Sequence, residues 1–90
     1  MMVPFPLGKV VATPGALEVL LEAGEDPFLY LARHQEGDWG DLDPHDRREN
    51  ERSLEHGWRL LSSYPVGGKT VWIITEADRS VTTILLPEEY

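Results

Sequence analysis

The sequence predicts an α+β fold, three short helices with a small antiparallel sheet, from three observations. One local signal occurs three times: Thr13-Pro14, Asp26-Pro27 and Asp43-Pro44 each set a capping oxygen before a proline. The Thr or Asp side chain can accept a backbone N–H of the first helical turn, and proline fits the first helical position because an N–H there would have no partner. From Trp58 onward the apolar pattern changes to period two, the signature of strands. Helical and strand patterns are also grouped along the chain, which is the α+β arrangement.

LGKVVA, residues 7–12, is a strand candidate. The first cap predicts a helix over 14–23, with Leu17, Leu20 and Leu21 as its apolar stripe and Gly24 as a left-handed stop. The second predicts a helix over 27–34, with Phe28, Leu31 and Ala32 on one side. The third predicts a helix over 44–56, stopped by Gly57. Its interior, HDRRENERSLEH, holds one aliphatic residue, Leu54, so a solvated helix held by charge pairs at helical spacing is expected.

WRLLSSY, 58–64, sets Trp58, Leu60, Ser62 and Tyr64 on one face, and Pro65-Val66-Gly67-Gly68 reads as a turn. KTVWIIT, 69–75, is rich in β-branched and aromatic residues. The polar segment 76–80 allows a second reversal before VTTILL, 81–86, which Pro87 ends. These three strands form an antiparallel meander, and the helices are expected to fill the space between it and residues 7–12.

Length and charge bound the function. Ninety residues make one domain, 1–90, that buries roughly 60–65% of its unfolded surface. Sixteen acidic and eight basic residues give a net charge of -8, which argues against direct nucleic-acid binding through a basic surface. The absence of cysteine excludes disulfides and thiolate metal sites. No apolar run is long enough to span a membrane, and MMVPFPLGKV lacks the features of a secretory signal, so a cytoplasmic protein is expected. No cofactor motif is present. Gly67-Gly68-Lys69-Thr70 lacks the earlier glycine and the following helix of a phosphate-binding loop.

His34, Asp38, Asp41, Asp43 and His45 fall within twelve residues. Imidazole and carboxylate suit zinc, manganese or iron, so His34, Asp38, Asp41 and His45 are the candidate metal ligands. Asp43 is already explained as a helix cap. In Gly37-Asp38-Trp39-Gly40-Asp41, Trp39 would plug the gap between the second and third helices. If the chain binds a protein partner, Asp38, Trp39 and Asp41 are the candidates, with Trp58 and Trp72 in the core. Glu76 and Arg79 on the second reversal are the residue types a metal-independent nuclease would use, although Asp and Ser beside them are common turn formers.

GDWGDLDPHDRRENERSL, LLSSY and WIITEADRSVTTILLPEEY together resemble a family of short bacterial proteins found on plasmids and in prophage-like regions. The resemblance runs from about Leu7 to Tyr90 and implies a mobile-element context. It carries over no catalytic residue, because that family has no established activity. A methyltransferase role is excluded physically, since no glycine-rich strand-to-helix turn exists to build a dinucleotide-type fold.

Three functions follow as expectations. The first is a small soluble accessory or protein-interaction module without catalysis. The second is a metal-dependent hydrolase or nuclease in which the His34, Asp38, Asp41 and His45 region activates water. The third is an acidic mimic of DNA built on residues 34–57, where eight acids and three arginines leave a net -5. A homodimer formed through an open sheet edge, either 7–12 or one of the flanking meander strands, is also expected.

Overall fold

The computed structural model describes residues 5–90; the expectation of one domain over 1–90 therefore includes four residues, 1–4, outside the described part. The elements run β1 (Lys9–Ala12), α1 (Pro14–Glu22), α2 (Pro27–Gln35), α3 (Pro44–His56), β2 (Leu60–Val66), β3 (Lys69–Thr75) and β4 (Val81–Leu85), followed by a 3-10 turn, Pro87–Glu89. All three capping signals are realised. Thr13 Oγ1 accepts from the Ala16 N–H at 3.1 Å, Asp26 Oδ1 from Phe28 at 2.9 Å, and Asp43 Oδ1 from Asp46 at 2.8 Å.

The fold is α+β, with a four-stranded sheet in the order β1-β4-β3-β2. β2, β3 and β4 form the expected antiparallel meander. β1 corrects the expectation of an entirely antiparallel sheet: it lies parallel to β4, with Lys9 opposite Val81 and Ala12 opposite Ile84. A parallel return needs a long connection, and three helices and a hairpin supply it. Gly8, at φ +66°, lets the chain enter β1 against the carbonyls of Arg79 and Ser80, where a Cβ would collide. Strand boundaries also shift. β2 continues through Pro65 to Val66, so the turn contracts to Gly67-Gly68, and Trp58 lies outside the strand.

Register places Leu60, Ser62, Tyr64 and Val66 on the same sheet face as Val71, Ile73 and Ile84. α1 and α2 cover that face, contributing Ala16, Val19, Leu20, Tyr30 and Leu31 to one core. Phe5, Trp39 and Leu60 form a second cluster, with Leu7, Leu42 and Leu54 against it. On the other face, the Tyr90 ring meets Trp72 edge-on at 5.8 Å.

α3 sets Leu54 against the second cluster and buries two polar residues, Asn50 and Ser53. Asn50 Nδ2 donates to the Leu61 carbonyl at 2.6 Å, and its Oδ1 accepts the Leu61 N–H at 3.1 Å. One side chain thus acts as a strand neighbour on the outer edge of β2. The next outward position, Ser63, donates its N–H to Trp39 O at 3.0 Å and accepts from the Asp41 N–H at 2.6 Å. The third, Pro65, has no N–H to satisfy.

Candidate functional site

Local structure separates the four residues expected to hold a metal. His34 points inward from α2 and is wholly buried. Asp38 is exposed and accepts from Arg33 Nε at 2.8 Å, and the Arg33 guanidinium lies 4.6 Å from the Tyr64 ring centroid. This pairing lowers the Asp38 pKa. Asp41 lies exposed on the loop that pairs with Ser63, and His45 is exposed on the first turn of α3. Among the described residues no three His, Asp or Glu side chains gather as a metal site. Within the acidic stretch 34–57, Asp38 is held by Arg33, Asp43 caps α3, Glu49 meets Arg52 at 3.3 Å, and Glu51 accepts from Trp39 Nε1 at 2.9 Å.

His34 belongs instead to a buried polar relay. Its Nδ1 lies 2.5 Å from Ser62 Oγ and its Nε2 lies 2.9 Å from Thr75 Oγ1. Thr75 Oγ1 continues to Thr82 Oγ1 at 2.7 Å, and Thr82 donates to the Leu7 carbonyl at 2.7 Å. The terminal carbonyl only accepts, which fixes every proton. Thr82 spends its hydrogen on Leu7, so Thr75 donates to Thr82, His34 Nε2–H donates to Thr75, and Ser62 donates to Nδ1. Burial, with the Arg79 charge adding to it, lowers the His34 pKa to about 4, so the neutral Nε2–H form is the one this network holds. Ser62 and His34 have the composition of a nucleophile–base pair, yet both are at 0% exposure, so a substrate has no route to the Ser62 oxygen.

Arg79 is also committed internally. It occupies φ +61°, and its guanidinium donates to the carbonyls of Ser53 at 3.0 Å and Trp58 at 2.6 Å. That fork ties the end of α3 to the β3–β4 turn, and Glu76 contributes its carbonyl to the same fork at 3.2 Å. Asp78, the other acid of this turn, accepts from Ser80 Oγ at 2.5 Å and from the Ser80 N–H at 3.0 Å.

Trp39 takes the buried place expected of a gap-filling indole, whereas Trp58, expected in the core, does not. Trp39 is 2% exposed, packed against both Phe5 and His34, whereas Trp58 is 50% exposed. Its N–H bonds to Ser53 O at 3.1 Å behind Gly57, which is left-handed at φ +74°. The α3 stop therefore holds Trp58, and pairing with β3 begins only at Leu60. The helix-stop glycine immediately before Trp58 was the available sequence signal, because the residue after such a stop is tied back to the helix.

Trp58 borders a groove of about 310 Å³ between α3 and β2, floored by Leu42 and Leu61 and flanked by Asp46, Glu49 and Arg59. The indole stacks on His56, with centroids 4.8 Å apart. Arg59 donates to the Tyr90 hydroxyl and lies over its ring, 5.3 Å from the centroid. The groove thus combines an accessible aromatic face with two carboxylates one helical turn apart.

Comparison of the chain with family models, curated proteins and solved structures found no match.

Proposed function

We propose that the protein is a non-catalytic interaction module that binds a basic segment of a partner protein in the α3–β2 groove. The observation that carries this reading is the half-exposed Trp58 beside Asp46 and Glu49. An indole face attracts a Lys or Arg cation, the carboxylates reinforce that attraction, and Leu42 and Leu61 provide apolar contact for the side-chain stem. Exposed tryptophans flanked by polar rims frequently dominate protein interfaces. The net charge of -8 favours encounter with a cationic partner. The resemblance to short plasmid and prophage proteins supplies a setting for this reading, an accessory factor of a mobile element.

Calorimetric titration with an Arg- and Lys-containing peptide, against the same peptide with those residues replaced by Gln, tests it. Saturable binding of the basic peptide alone is expected. It weakens with added salt, and in Trp58→Ala it falls by a factor of roughly 2–30, the range of a cation–π contact. Equal binding of both peptides, or binding indifferent to Trp58→Ala and to Asp46→Asn/Glu49→Gln, overturns the reading.

A further inference from the structure

The two edges of the sheet are treated in opposite ways. On β2, Leu61 and Ser63 are closed by Asn50 and by residues 39–41, and Pro65 lacks an N–H. β1 has no such cover among the described residues. Lys9 and Thr13 donate to the carbonyls of Ser80 and Ile84, both at 2.9 Å, so strand alternation turns the N–H and C=O of Val10 and Ala12 away from β4. Val10 and Val11 are 42% and 37% exposed.

We propose that β1 pairs antiparallel with β1 of a second copy, about a two-fold axis at Val11, joining two sheets into one of eight strands. This register sets Val10 opposite Ala12 of the second copy, and Ala12 opposite its Val10. Each pair exchanges two backbone hydrogen bonds, so both outward-facing residues of the strand are used. Val11 faces its own symmetry mate across a non-hydrogen-bonded position, apolar against apolar.

Charge selects a second copy over an arbitrary strand. Lys9 comes opposite Thr13 of the second copy, and Thr13 Oγ1 donates to Glu89 at 2.6 Å. Each Lys9 ammonium is thereby brought toward a Glu89 carboxylate, twice by symmetry, while no like charges oppose each other along the strands. The closed β2 edge makes the assembly finite. With one open edge among the described residues of each chain, pairing ends at the isologous dimer and does not continue into a fibre. The interface is short, so it is a concentration-dependent one at the low end of the size range.

Sedimentation equilibrium over a roughly hundredfold concentration range is expected to show mass rising from 10.2 kDa toward twice that value. Val11→Cys supplies the sole thiol of the chain. In the proposed register the two Cα atoms lie about 4.5 Å apart, within disulfide range. Mild oxidation should link Val11→Cys chains much faster than Thr83→Cys chains, since Thr83 sits one strand inward on the same face. Val10→Pro, which deletes an outward N–H and spares the β4 ladder, should remain monomeric. A constant mass of 10.2 kDa, cross-linking of Val11→Cys no faster than of Thr83→Cys, or a folded Val10→Pro variant that still dimerises each overturns the proposal. Binding of the basic peptide at Trp58 is scored separately and does not bear on it.

Discussion

The imidazole of His34 has Phe5 and Trp39 edge-on at 5.2 and 5.7 Å and oxygen partners on both nitrogens. Its pKa, about 4 when folded, returns to about 6.5 when the chain unfolds. The unfolded chain therefore takes up a proton as pH falls through 6.5, and the folded chain declines it until about 4. The stability from keeping this ring neutral is complete above pH 6.5 and is lost between 6.5 and 4, to a total of about 3 kcal/mol. Urea unfolding at a series of pH values should show that slope, and His34→Leu should remove it. The same substitution leaves the Ser62 and Thr75 hydroxyls short of partners, so it should cost about 2–4 kcal/mol at neutral pH. Gly40 is a second sensitive position. It sits at φ +75°, and a Cβ there would meet the Ser63 carbonyl and come within 2.6 Å of the Tyr64 ring. Gly40→Ala should lower stability by at least ~2 kcal/mol, read as a lower denaturation midpoint.

At the scale of elements, the hydrogen bonding of α3 to β2 rests on one amide. Asn50→Ala removes both hydrogen bonds to Leu61 and should cost about 1–3 kcal/mol in urea unfolding. Asn50→Asp should cost at least as much, because a carboxylate oxygen then faces the Leu61 carbonyl where an N–H had donated. An Asn50→Asp variant as stable as wild type would show that the helix is held by other contacts. This docking also marks the limit of what the sequence discloses. Helix starts were legible because a Thr or Asp before proline acts within three residues. The meander was legible because its turns are short and its alternation regular. Asn50 reaching a backbone leaves no periodic trace, so α3 looked like a free surface helix. The same holds for the relay: His34, Ser62, Thr75 and Thr82 have no spacing in common; the register of β2, β3 and β4 aligns the three hydroxyls, and the packing of α2 on that face brings His34 to them. The candidate metal set failed for the complementary reason, since proximity along the chain did not become convergence in space.

Across the whole molecule, the asymmetry of the sheet should appear in hydrogen exchange. In dilute solution the Leu61 and Ser63 amides, though on an edge, should be protected, while those of Val10 and Ala12 exchange at nearly unprotected rates. Equal rates at the two edges would mean that the Asn50 and 39–41 contacts do not persist in solution. No described helix is long and apolar enough to cross a membrane.

The parallel pairing of β1 with β4 has a consequence for how the protein is made. A ribosome delivers β1 well before its neighbour β4, and the relay closes only when Thr82 reaches Leu7, 75 residues away. Until β4 emerges, β1 lacks its sheet neighbour and the network around His34 stays open. Emergence of β4 is thus the event that closes the network around the ring. A product cut short before β4 keeps an unmated strand and an open network, which mark it as unfinished to any protease that samples it.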